Sequence, residues 1–231
     1  MYTENDVHQA LLANGYEVKL LGLFDNLTPL FDEIKEFQPD VIFNLVEIFN
    51  NKTHFEKNFA AVLELIGIPY TGANSGCLFV CNDKAMGKKI LRFHRLRVAR
   101  FNAFYRGLKV WRPRHIKLPA IVKPLSEEAS RGISQASVVD SDEMFVERIR
   151  FIHDNMKLDA IAEEYIDGRE LYVTVIGNKQ LTVLPPREMN FGELPEDEPR
   201  IATYKAKWDE KYRKRWGIKS AFANKLADGV W

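Results

Sequence analysis

The apolar pattern changes its period once along this chain, and that change limits the folds open to it. Up to residue 72, segments with helical spacing alternate with short apolar runs. From residue 118, short extended segments follow one another directly, with tight turns between them. The first texture is that of a doubly wound parallel sheet, and the second is antiparallel α+β.

In the first part, Glu4–Asn14 places Val7, Leu11 and Leu12 at helical spacing and stops at Asn14-Gly15. Tyr16–Leu23 reads as a strand. Thr28–Phe37 reads as a helix with Leu30, Phe31, Ile34 and Phe37 on one face. Val41–Val46 is short and apolar enough for a buried parallel strand, Thr53–Ile66 is a third helix, and residues 67–72 form a turn and a short strand. A parallel α/β unit normally opens on a strand, whereas this chain opens on a helix, so the sheet is expected to be truncated. Asn82–His94 reads as a helix with Asp83 in its first turn and Lys88, Lys89 and Arg92 late, an order that suits the helix dipole.

Val98–Phe104 is expected to be extended, and the basic stretch Arg106–Lys117 to be a linker or surface excursion. Strands follow at Pro119–Pro124, Val138-Val139, Ala160–Ile166, Glu170–Ile176 and Gln180–Leu184, with a helix over Ser141–Asn155. An amphipathic helix begins at Ser220 and runs to Trp231 with Phe222, Leu226 and Val230. The domain reading is a partial α/β domain over 1–80, a helix and linker over 81–117, and a second lobe over 118–231 that is incomplete at its C-terminal end.

Bulk charge excludes little beyond a nucleic-acid or membrane-surface role. Lys and Arg total 33 against 32 Asp and Glu, leaving +1. No apolar run reaches the roughly 18 residues of a membrane span, and the N-terminus lacks the pattern of a signal peptide. A cytoplasmic setting is therefore expected. Cys77 and Cys81 share a helix face without the partners of a zinc site and read as small buried apolar residues.

Two motifs carry chemistry. In Ile121-Val122-Lys123-Pro124, followed by Leu125 to Ser134, a lysine ends a strand just before a loop of small and polar residues. A strand-end ammonium and free loop amides can hold phosphate oxygens; taken alone, the same pattern also describes a surface lysine before an ordinary loop. In Glu163-Glu164-Tyr165-Ile166-Asp167-Gly168-Arg169-Glu170, carboxylates flank a tight turn with apolar residues between them. That arrangement offers an adenine slot and a carboxylate for ribose hydroxyls, or a hairpin with exposed charges. Asp83-Lys84 and Lys205-Ala206-Lys207-Trp208 are weaker signals whose value lies in their order along the chain.

That order resembles the D-alanine–D-alanine ligase group of the ATP-grasp enzymes. Leu65–Gly72 followed by Asn82-Asp83-Lys84-Ala85-Met86-Gly87-Lys88 is similar to that group's passage from its first domain to its second, and Ile121–Pro124 and Glu163–Val175 extend the likeness over nearly the whole chain. The resemblance implies a truncated parallel-sheet domain followed by an ATP-grasp nucleotide-binding lobe with an antiparallel sheet. It implies that Lys84 and Lys123 contact ATP phosphates beneath a covering loop containing Glu127, Ser130 and Gly132. Glu163 would accept from the adenine amino group, with Glu164, Tyr165 and Ile166 lining the slot. Glu170 would hold the ribose, and Lys207 would reach the terminal phosphate.

The implied chemistry is an ATP-dependent carbon–nitrogen ligation. A substrate carboxylate attacks the terminal phosphoryl group, and an amine then displaces phosphate from the acyl phosphate. Amino-acid or peptide substrates, magnesium and a homodimer come with the resemblance; no catalytic residue is assigned, and the magnesium ligands are expected downstream of Trp231. The chain departs from the group at Glu127-Glu128-Ala129-Ser130-Arg131-Gly132, where a Glu-Gly-Ser-Ser-x-Gly loop is usual. It departs again at Ala129 and Trp208, which stand for a serine and a tyrosine, and at Glu47–Lys52. The alternatives are a ligase for another amino acid or peptide and a non-catalytic nucleotide-binding module.

Overall fold

The computed structural model describes residues 2–224 and Leu226. The chain divides into two compact units, Met1–Asp83 and Lys84–Trp231. In the first, α1 (Tyr2–Ala13), α2 (Thr28–Phe37), α3 (Glu56–Ile66) and α4 (Ser75–Asn82) are joined by irregular segments. Its core is Leu30, Phe59 and Leu63, with Ile34, Ile42, Val46 and Tyr70 packed around them. α3 ends on Gly67 at φ 82°, the left-handed cap that a residue without Cβ adopts at least cost.

Parallel pairing among the described residues of this unit is a single bridge, Ile42 to Tyr70. Ile42 N–H donates to Pro69 O at 2.8 Å and Thr71 N–H donates to Ile42 O at 3.0 Å. Tyr16–Leu23, expected as a strand, forms no ladder, and Tyr16 and Leu20 are 63% and 60% exposed. An extended segment becomes a strand only when a neighbour completes its hydrogen bonds, and the described chain brings no neighbour there. Cys77 and Cys81 lie on α4, exposed rather than buried, with their Sγ atoms 3.9 Å apart. The expected helix over 82–94 is split, because Asp83 is extended (φ −104°, ψ 100°) between α4 and α5 (Lys84–Phe93).

The second unit is built on a four-stranded antiparallel sheet: β1 (Phe101–Phe104), β4 (Ala160–Glu164), β2 (Ala120–Pro124) and β3 (Val138–Val139), in that spatial order. Residues 81–117 thus supply α5 and a strand of this sheet. The following basic stretch returns Ile116, fully buried, to the core. Helix α6 (Asp142–Phe151), continued by one π-helical turn over Ile152–Met156, packs Phe145, Ile149 and Ile152 on one sheet face.

Glu170–Ile176, expected as one strand, is two. β5 (Glu170–Tyr172) pairs with β8 (Arg187–Asn190), while β6 (Val175–Gly177) pairs with β7 (Leu181–Val183). After α7 (Tyr204–Trp208) and α8 (Glu210–Trp216), Lys219–Phe222 forms β9 against β8 where a helix was expected. The remainder of that expected helix, residue 225 and residues 227–231, lies outside the described residues. Among the described residues no helix is long and apolar enough to cross a membrane.

Candidate functional site

Strand alternation sorts the site from the core. On β2, Ala120 and Val122 face α6, as do Ala160 and Ala162 on β4. Because successive side chains point to opposite faces, Lys123, Ile161 and Glu163 emerge on the other face. There Ile161 packs with Ala85 of α5, Leu125, Phe101 and Ala103. Ile121 lies opposite Glu163 and Lys123 opposite Ile161, so Lys123 is the diagonal neighbour of Glu163.

Glu163 is 5% exposed and carries two ion pairs, Lys123 Nζ to Oε1 and Lys88 Nζ to Oε2, both at 3.0 Å. Burial alone pushes its carboxyl up, but the ammonium groups of Lys123 and Lys88 outweigh that and hold it below the usual carboxylate range. Lys84, one turn before Lys88 on α5, donates to the carbonyls of Glu127 and Leu125. Burial, and then the charge of Lys123, push its ammonium down to about 8. Three lysines therefore gather over one sheet face with a single buried carboxylate among them.

The loop after β2 lies over these lysines and is tied at several points. Ala129 and Ser130 both have left-handed backbones, at φ 51° and 62°, a conformation that non-glycine residues adopt at a cost and that clusters at functional sites. Trp208 Nε1–H donates to Ala129 O at 2.9 Å, and Tyr204 N–H donates to Ile133 O at 3.1 Å. Arg148 of α6 donates to Gly132 O at 2.5 Å and to Ser137 Oγ at 3.0 Å. Glu128, one of the loop's departures from the usual Glu-Gly-Ser-Ser-x-Gly pattern, is exposed. Arg131 lies 3.9 Å from the Glu127 carboxylate.

Gly132 has φ +72°, and a Cβ there would sit 2.5 Å from Met156 Cε and 2.9 Å from Pro124 Cγ. Gly132→Ala is expected to strain the backbone and displace the loop, costing about 1–3 kcal/mol. A urea titration checks it, and an unchanged midpoint would refute the close packing.

The 163–170 turn places its members differently. Glu164 N–H donates to Arg100 O at 2.9 Å and Tyr165 N–H to Pro119 O at 3.0 Å, so both amides are used within the protein. Ile166 is 66% exposed. The Glu170 carboxylate accepts from Tyr172 Oη–H at 2.5 Å and from Ala202 N–H at 3.0 Å. Lys207 Nζ stands 5.3 Å from the centroid of the Tyr172 ring, a cation–π distance, so Lys207, Tyr172 and Glu170 form a second cluster.

Sequence reasoning missed Lys88, taken there only as a dipole charge, although its i+4 spacing from Lys84 was a usable signal. It also missed Arg148, whose partners are distant in sequence, and Tyr172, whose hydrogen bond to Glu170 is local but whose contact with Lys207 is not. A groove of about 430 Å³ beside Arg106–Val110, Arg150 and His153 is lined by none of the nucleotide candidates.

Taken together, the antiparallel sheet, the lysines on one of its faces and the tethered loop define an ATP-grasp nucleotide lobe. The solved D-alanine–D-alanine ligase of Bacillus anthracis shares this fold. Its TM-score is 0.66 at 21% identity, covering 98% of this chain and 67% of the ligase. Its ATP complex gives 0.58 at 19%, covering 85% and 57%.

A family model described as D-ala D-ala ligase C-terminus matches residues 84–228, and the chain belongs to that family. Relatives include an uncharacterised protein of Sinorhizobium fredii, 32% identical over 87% of this chain and 56% of the relative. The D-alanine–D-alanine ligase of Geotalea uraniireducens is 29% identical over 76% of this chain and 54% of its own length. The chain thus spans about half the length of the curated relatives it matches.

Proposed function

We propose that this chain supplies the nucleotide-gripping part of an ATP-dependent ligase that joins an amino-acid or peptide carboxylate to an amine through an acyl phosphate. The observation that carries the reading is the convergence of Lys84, Lys88 and Lys123 on one face of the sheet beneath the loop at Glu127–Gly132. Ammonium groups beside a loop held in left-handed conformation suit a polyphosphate. In this reading Lys84 and Lys123 hold the phosphates. Ser130 and Gly132 shape the loop, and Glu127 holds Lys84 through its carbonyl. Glu163 with Glu164, Tyr165 and Ile166 forms the adenine side, Glu170 takes the ribose, and Lys207 reaches the terminal phosphate.

The nucleotide fits these residues. For magnesium, the described residues contain no group of three His, Cys, Asp or Glu able to hold a metal ion, so no step here depends on one. The altered loop at Glu127–Gly132 favours a second reading, nucleotide binding without turnover. Small-molecule amino-acid or peptide substrates, a cytoplasmic setting and a homodimer belong to the ligase reading.

The test is thermal stability with and without millimolar Mg-ATP, beside Lys123→Met. Nucleotide at about 100 times its dissociation constant adds roughly 2.7 kcal/mol, a rise of about 5–10 °C for a protein of this size. Lys123→Met should remove the rise. A wild-type chain that shows no rise defeats the proposal. A rise without product from any amino acid selects the second reading.

A further inference from the structure

The lysine that approaches phosphates in the proposed function is engaged in this structure. Lys123 Nζ lies 3.0 Å from Glu163, and Glu163 is 5% exposed. When phosphate oxygens draw Lys123 away, a buried carboxylate loses a partner. An unpaired buried charge is strongly unfavourable, so the group would either oppose nucleotide binding or take up a proton.

The second partner resolves this. Lys88 holds the other carboxylate oxygen, also at 3.0 Å. It projects from α5, an element distinct from the strand bearing Lys123, and its ammonium lies 5.9 Å from the centroid of the Phe101 ring. It is therefore held in place by contacts that do not involve Lys123. The charged groups facing Glu163 are Lys84 and Lys88 from α5 and Lys123 from β2, while β1 presents Phe101. Of the three lysines, Lys84 is already directed at the carbonyls of Leu125 and Glu127. Lys88 is the cation left to Glu163.

We propose that Lys88 is a positioning residue that keeps Glu163 ionised and oriented, so that Lys123 can be released to the nucleotide phosphates without proton uptake. This rests on the nucleotide-binding reading above. Lys88 is not assigned a contact with the phosphates; its effect passes through Glu163.

The test is calorimetric titration of the whole chain with Mg-ATP at about pH 6 and about pH 8, in buffers of differing ionisation enthalpy, for wild type, Lys88→Met and Lys88→Arg. Lys88→Met should weaken binding about tenfold or more at the higher pH, by the cost of a charge left unpaired. Relative to wild type it should recover affinity at the lower pH, with close to one additional proton taken up per nucleotide, because protonating Glu163 removes the unpaired charge. Lys88→Arg should restore wild-type affinity and proton count.

Loss of affinity that is equal at both pH values, with no added proton uptake, would overturn the proposal and leave Lys88 a structural residue. Wild-type affinity in Lys88→Met would overturn it outright. A wild-type chain that binds no nucleotide would instead defeat the underlying reading and this inference with it. A thermal melt of each variant separates any folding loss from these outcomes.

Discussion

Glu163→Gln should lower the unfolding free energy by about 3 kcal/mol, because it leaves two ammonium groups sharing a poorly solvated face with no counter-charge. Lys88 and Lys123 each sit 3.0 Å from the carboxylate they would lose, and their mutual repulsion is then uncompensated. The pH dependence gives a second signature. The Glu163 carboxyl lies below its ordinary value of 4.5 in the folded protein. Its contribution is therefore complete above about 4.5 and drains away as pH falls through the lower, folded value. The wild-type protein should show this acid-side loss, and Glu163→Gln should show correspondingly less of it. Urea midpoints at several pH values between about 3 and 7 measure both effects. Replacing all three members by methionine should recover much of the lost stability, since a buried ion cluster is commonly no more stable than an apolar one of similar volume. That triple variant would separate what the cluster does for folding from what it does for ligand binding. A Glu163→Gln protein as stable as wild type would show that the three charges are not coupled in the way the geometry requires.

The motif residues were legible because their chemistry is local. A lysine before a proline at a strand end, and a carboxylate pair bracketing a turn, each declare a position within a few residues. The change from helical spacing to short alternating runs is likewise a property of neighbouring residues, but the compact units divide at Asp83, well ahead of it. Partner-dependent features were not legible. β5 and β6 read as one strand because Glu170–Ile176 is uniformly extended in preference; the break comes from β8 and β7, which claim its two halves. Ser220–Phe222 opens the stretch read as an amphipathic helix from Phe222, Leu226 and Val230, and it lies in β9 because β8 offers it an edge. Lys88 looked like a helix-dipole charge, and only the packing of α5 on the sheet, with Ala85 against Ile161, puts Glu163 within its reach. Apolar character likewise suggested burial for Cys77 and Cys81, which are exposed. Burial depends on what lies opposite, and a single segment does not encode that.

Phe145→Ala should cost about 3–5 kcal/mol, the range for removing a buried aromatic ring whose surroundings relax only in part. Phe145 is fully buried and meets Phe104 edge-on, with ring centroids 5.6 Å apart and planes at 78°. Around it stand Val122, Ala160 and Ala162 of the central strands, so the ring fills the layer directly beneath the face that carries Lys123 and Glu163. Leu substitution keeps most of that volume and should cost about 1.5 kcal/mol or less. The urea midpoint should shift in both variants while the slope stays that of wild type, because the surface exposed on unfolding is nearly unchanged. The consequence for the site follows from helix geometry. Phe145 and Arg148 lie three residues apart on α6 and so share a face, and Arg148 grips Gly132 O at 2.5 Å and Ser137 Oγ at 3.0 Å. A helix that settles into the cavity left by the ring carries that grip with it. Phe145→Ala should therefore weaken nucleotide-induced stabilisation even under conditions where the protein remains folded, whereas Phe145→Leu should preserve it. Equal nucleotide responses in the two variants would show that the loop is held in place independently of α6.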